Sequence, residues 1–238
     1  LDLGDGIEIG FKPERPGQTY WWRREIVSYH FARLLGIEGR VPPVVGRRVA
    51  ASMFGRFARR DALVVDAEGM VPGSASVWMP SLHGEEIHIG EGRQEWGRWL
   101  RPGAHIPAEH RERARQIAVL LVFDHLMGNF DRWNCCNIPI DEHDQLVYRD
   151  NDAGWQPRIL DHVGSPSHIR RLPRSLYEAL ARVTGDALRA AFERDPMASV
   201  GFVVPEAMPA YDRRRQKLLV HLRRIIARHG EDAVLAWP

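Results

Sequence analysis

The chain has 238 residues, 44% of them hydrophobic and 27% charged, with a formal net charge of +2. That length can bury one large core or two smaller ones, and the balanced charge carries no nucleic-acid footprint, so no nucleic-acid partner is expected. No apolar run approaches the ~20 residues that a membrane helix needs, so no membrane span is expected.

Residues 1–13 read as a turn at Gly4-Asp5-Gly6, then a strand through Ile7-Glu8-Ile9-Gly10-Phe11-Lys12, stopped by Pro13. From Tyr20 to Leu35 the pattern is helical, with Trp22, Ile26, Tyr29, Phe31 and Leu34-Leu35 near one face and Gly36 as the C-cap. Val41-Pro-Pro-Val-Val45 is an extended link into a strand at Arg47–Phe54. Ala62–Asp66 and Ser74–Met79 are two further short strands, the second closed by Pro80.

Beyond Pro80 the chain turns mostly helical. His110–Met127 is the strongest helix, and its run Ile117–Phe123 predicts burial nearly all round. Gly128 ends it. A polar loop follows at Asn129–Asn137, then strand-like Gln145–Tyr148 and a loop at Asp150–Gly154. Leu176–Arg194 and Ala210–His229 read as amphipathic helices, and Arg213-Arg214-Arg215 on the latter reads as a solvated face. The expected fold is α+β: a small strand-rich N-terminal lobe over residues 1–80 and a larger helical C-terminal lobe over residues 81–238.

Cys135 and Cys136 are adjacent and are the only cysteines, too few for a disulfide framework or a zinc site. No signal peptide is visible, which leans towards a bacterial cytoplasm, but the chain begins at Leu1 and the compartment stays open. Of the 33 lysines and arginines, only Lys12 and Lys217 are lysine. The arginine bias suggests a GC-rich, bacterial genome. It also singles out Lys12, because a compact ammonium meets a phosphate where a planar guanidinium is bulkier.

Phosphoryl transfer needs a cation on the nucleotide phosphates, hard oxygen ligands for Mg²⁺ or Mn²⁺, and a carboxylate that orients the acceptor hydroxyl. Asp131, in the loop after the buried helix, is placed for the last task. Asn137 lies six residues on. Asp150 follows an apolar strand whose hairpin returns the chain towards Asp131, so Asp150 and Asn137 are candidate metal ligands.

Three stretches resemble the Fam20 secretory-pathway kinases, atypical kinases related to the wider HipA-like and phosphoinositide-kinase-like folds. They are Phe11-Lys12-Pro13, the helix from Glu25 with Arg40-Val-Pro-Pro-Val-Val-Gly-Arg47, and Asp124–Asn137 with Tyr148-Arg-Asp-Asn-Asp-Ala-Gly154. The resemblance implies a two-lobed kinase that binds ATP with Mg²⁺ or Mn²⁺ and phosphorylates a hydroxyl on protein Ser/Thr or on a glycan. It implies that Lys12 contacts the α/β-phosphates and pairs with Glu25, that Asp131 is catalytic, and that Asp150 binds metal with help from Asn137. Ser76–Pro80, with Trp78 and Met79, would be the hinge facing adenine. Departures from the family are the missing disulfides, Asp152 in place of a glycine, Trp133-Asn-Cys-Cys in place of a His-rich run, and no glycine-rich phosphate loop. The alternatives are a nucleotide-binding pseudokinase scaffold, a HipA-like or lipid-directed kinase, and a purely structural domain.

Overall fold

The computed structural model describes residues 8–57, 62–79, 81–84, 90–132, 138–156 and 166–237. A three-stranded antiparallel sheet is formed by β1 (Ile9–Pro13), β2 (Val44–Ala50) and β3 (Met70–Val77), in the order β1-β3-β2. The last strand in sequence is therefore the central one, with Lys12 opposite Ser74 and Val45 opposite Ala75. Helix α1 (Trp21–Leu35) packs on this sheet and ends at Gly36, whose φ of 72° suits a residue without Cβ.

The sheet differs from the sequence expectation in its borders. β2 begins at Val44 and stops at Ala50, where a tight 3-10 turn over Ala51–Phe57 follows. Ala62–Asp66 is not a strand. Its backbone serves as a strap instead, with Val64 N–H donating to Glu14 O and Asp66 N–H to Met70 O. Asp66 also accepts from Glu68 and Met70 N–H, which favours a turn over a ladder.

Helix α2 (Gly90–Trp99) precedes α3 (Arg111–Met127), in which every residue from Gln116 to Met127 is buried. The two-residue strands β4 (His83–Gly84) and β5 (Pro139–Ile140) pair with each other. Residues 145–148 make a single bridge, Leu146 to Ile140, and no strand. They are held by α3 instead: Leu146 N–H donates to Gln116 Oε1 and Tyr148 Oη–H to Gln116 O. A buried glutamine thus takes one backbone N–H of this segment, while Val147 and Tyr148 N–H donate to Pro139 O and Arg40 O.

The helix expected over Leu176–Arg194 is two helices, α4 (Arg174–Arg182) and α5 (Gly185–Phe192). Thr184 breaks them apart because its hydroxyl caps α5, accepting from Ala187 N–H. The long helix α6 (Ala207–His229) and the short α7 (Glu231–Leu235) complete the chain. Arg214 and Arg215 are not on a solvated face: they are 1% and 7% exposed, and their guanidinium groups donate to Leu126 O and Leu180 O. Lone helix carbonyls explain arginines in a core, since each offers the fork an acceptor.

The core is continuous from α1 to α6. At its centre Phe31 stacks on Phe123 with ring centroids 5.4 Å apart, and meets Trp155 and Tyr211 edge-on. Among the described residues, no helix is long and apolar enough to cross a membrane.

Candidate active site

Three chain segments meet at Lys12. Its Nζ lies 2.5 Å from Glu25 Oε1, 2.8 Å from Asp150 Oδ1 and 2.9 Å from Asp152 Oδ2. β1 carries the lysine and α1 the glutamate, and the packing of α1 on the sheet is what brings them together. Burial alone would lower the ammonium, but the three carboxylates outweigh it and hold Lys12 in its charged form, above the ordinary lysine range. Burial pushes the Glu25 carboxyl up, and Lys12 pulls against it. Asp150 is pushed up by burial, but Lys12, Arg149 and Arg132 together pull it down, and it ends below the ordinary carboxylate range.

The Asp150 segment is held by its backbone. Asp150 sits at φ 53°, a left-handed conformation that aspartate tolerates better than most residues. The next N–H, of Asn151, donates to both Glu25 oxygens at 3.1 and 3.2 Å. Glu25 therefore anchors the lysine and the Asp150 turn at once. Arg24 donates to Asp152 O, adding a third tie between α1 and this loop.

Asp131 reaches the same neighbourhood through Arg132. The Arg132 side chain is fully buried, and its Nε faces both Asp124 oxygens at 3.2 and 3.1 Å. Its two terminal nitrogens donate to Arg149 O and, at 2.5 Å, to Asn151 Oδ1. One guanidinium thereby staples the end of α3 and the Asp131 loop to the residues flanking Asp150. Asp131 itself is half-buried, and its N–H donates to Asn129 Oδ1. Gly128, at φ 68°, turns the chain out of α3, and Trp155 N–H donates back to Met127 O.

A cleft of about 240 Å³ lies over these groups. Lys12, Glu25 and Asp150 line its polar side, and Val41, Pro42 and Val44 of the Val-Pro-Pro link line an apolar side. Trp78 and Met79 lie at its edge, where the expected hinge runs. Trp78 is half-exposed, and its N–H is already engaged with Glu8 O. Of the expected site residues, Lys12, Glu25, Trp78, Met79 and Asp150 share this cleft. Asp131 is tied to it through Arg132, and Asn137 lies outside the described residues, as does Pro80.

Two participants were not assigned a role from sequence. Asp152 stood out only as a departure from the glycine expected there, and it proves to be a third carboxylate on Lys12. Arg132 was legible as half of an Asp-Arg pair, but its partners Asp124 and Asn151 are contacts of the fold. Three carboxylates gather around one ammonium, with Arg149 3.9 Å from Asp150 as a second cation, and their oxygens are of the hard class that suits a divalent cation. Among the described residues, no three His, Cys, Asp or Glu side chains converge into a ready-made metal site.

Sheet, helix and cleft define a kinase-like class of fold. Solved Fam20 structures share it. The structure of hydra Fam20 with sugar superimposes with a TM-score of 0.72 over 99% of this chain and 83% of that chain, at 17% identity. A Golgi casein kinase crystal structure with Mn/ADP bound gives 0.70 over 98% and 71%, also at 17% identity. In sequence, human glycosaminoglycan xylosylkinase is 24% identical over an alignment of 305 residues that covers 99% of this chain and 70% of that protein. Human four-jointed box protein 1 is 28% identical over 171 residues, covering 68% of this chain and 34% of that protein. The chain thus matches about a third of the length of the four-jointed protein. No family model matches the sequence. The chain is a distant relative of the Fam20 and four-jointed secretory-pathway kinases.

Proposed function

We propose that the chain is an ATP-dependent kinase that transfers the γ-phosphoryl group to a hydroxyl of a glycan or of protein Ser/Thr. The observation that carries this reading is the meeting of Lys12, Glu25 and Asp150 in one cleft beside Trp78 and Met79. In this reading residues 1–80 act as a nucleotide-binding lobe and residues 81–238 as the lobe that carries the catalytic and metal loops.

Each residue has a defined task. Lys12, kept cationic by its carboxylates, neutralises the α/β-phosphates, and Glu25 fixes its direction. Asp131 accepts a hydrogen bond from the acceptor hydroxyl and takes its proton as the oxygen attacks the γ-phosphorus and the bond to the β–γ bridging oxygen breaks, releasing ADP. Asp150, with Asn137, would hold Mg²⁺ or Mn²⁺, which when bound offsets charge on the phosphates. Val41, Pro42 and Val44 offer an apolar wall to the adenine, and Met79 a place on its edge.

The glycan acceptor is supported by the relative that aligns along nearly the whole chain, a glycosaminoglycan xylosylkinase. The protein acceptor is supported by the fold shared with a Golgi casein kinase. Both classes therefore belong in the same assay. Transfer from labelled ATP is measured with Mg²⁺ or Mn²⁺, offering xylosides and Ser/Thr peptides, for wild type, Asp131→Ala and Asp150→Ala. Each variant is expected to lose transfer by at least about 100-fold. Full activity in either variant removes the assignment. Wild-type nucleotide binding without turnover on either acceptor would favour the pseudokinase alternative.

A further inference from the structure

We propose that a second cleft, between α2, residues 166–170 and the C-terminal part of α6, binds a compact ligand carrying two or more phosphate groups. The cleft consists of two adjoining hollows of about 410 and 610 Å³ that share Arg101 and Arg170. Arg93, Arg98 and His168 line the first, over the buried ring of Trp96. His221, Arg224, Arg228 and His229 line the second. Among the described residues, no aspartate or glutamate lines either hollow.

The charge pattern is local, because the whole chain carries only two more basic than acidic residues. Elsewhere arginines find carboxylates, as Arg113 does with Asp144 and Arg40 with Glu112. Among the described residues, Arg93, Arg98, Arg101, Arg224 and Arg228 have no such ion pair. Gathering cations without counter-charge raises their mutual repulsion, which an anion relieves. Two neighbours record that field. His168 is lowered by burial and then by Arg93, and His221 by burial and by Arg224 and Arg170.

The shape selects the ligand. Each hollow falls within the ~300–1,000 Å³ usual for small-molecule sites. Guanidinium forks match phosphate oxygens two at a time. Two hollows joined at Arg101 and Arg170 favour more than one phosphate on a compact frame over a linear polyanion, which would track a ridge of charge. The cleft is separate from the candidate active site. Arg214 of α6 touches Leu126 O beside the Asp131 loop, whereas Arg224 and Arg228 lie about 15 and 21 Å further along the same helix axis.

Calorimetric titration of the whole chain with inositol hexakisphosphate, a compact polyphosphate that lacks the linear triphosphate of ATP, tests this without nucleotide or metal. Saturable binding below about 1 mM is expected. The double variant Arg101→Ala/Arg170→Ala, at two exposed positions, should weaken it by at least about tenfold. Arg224→Glu in the second hollow should do the same and decides the matter if the double variant does not fold. Lys12→Ala should bind as wild type, which separates this cleft from the nucleotide cleft. The proposal is overturned by absent saturable binding or by undiminished binding in the arginine variants. Loss of binding in Lys12→Ala overturns it too, as does displacement by a sulfated oligosaccharide of higher affinity.

Discussion

Lys12 Nζ and Glu25 Oε1 stand 2.5 Å apart, a cation from the first strand bound to a carboxylate from the first helix. The same glutamate receives the Asn151 N–H from the loop that carries Asp150. Replacing Lys12 by methionine should lower kcat/KM for ATP by about 100-fold or more. Lys12→Arg should not restore it, because the planar fork needs room among three carboxylates. Steady-state transfer assays decide, and a Lys12→Met enzyme at the wild-type rate would end the role assigned to this lysine.

Arg132 is the buried staple between the end of α3 and the Asp150 loop. Arg132→Ala leaves Asp124 as a buried carboxylate without its partner and removes a donor from Asn151. A loss of about 3–5 kcal/mol is expected. Urea unfolding measures it, and a change below about 1 kcal/mol would mean that the network carries little of the fold's stability.

Asp124 makes part of that stability depend on pH. Burial, opposed by Arg132, raises its carboxyl from 3.8 to about 6. The folded chain then holds this proton more tightly than the unfolded chain. Its contribution is fully present below 3.8 and is lost as pH rises to about 6. Across that window Asp124 should remove roughly 2–3 kcal/mol of stability, and Asp124→Asn should flatten the slope. Unfolding midpoints on either side of the window test it, and an identical slope in wild type and variant would refute the assignment to Asp124.

Gly73 lies in the central strand, where an added Cβ would sit 2.4 Å from Lys12 O and 2.6 Å from the Phe11 ring. Backbone cannot yield as a side-chain tip can, so Gly73→Ala must displace β1 and Lys12 with it. Stability should fall by about 1–3 kcal/mol, with weaker ATP binding alongside. Calorimetric melting and nucleotide titration read the two effects. Wild-type values for both would show that β1 does not depend on this close approach.

Local signals located much of the candidate site. The Lys12 strand, the Glu25 helix, the buried α3 and its Gly128 cap follow from alternation, helical spacing and a glycine at a left-handed turn. The errors share one physical cause. Ala62–Asp66 and residues 145–148 carry strand-like apolar residues, yet Glu14 O and Gln116 supply partners that compete with a ladder. Arg214 and Arg215 looked like surface because charge usually is; buried carbonyls from other helices made them interior.

Local sequence pattern was enough to pick out the candidate residues and their order: one lysine on a strand, one glutamate on a helix, and Asp131 and Asp150 on loops flanking apolar segments. Those properties are local, set by propensity and spacing. It took the tertiary structure to bring Asp152 to Lys12, to tie the two loops through Arg132, and to set arginines of α2 and α6 along two hollows that share Arg101 and Arg170. Each of these is a contact between segments far apart in the chain, and local pattern carries no information about which distant partner will neutralise a buried charge.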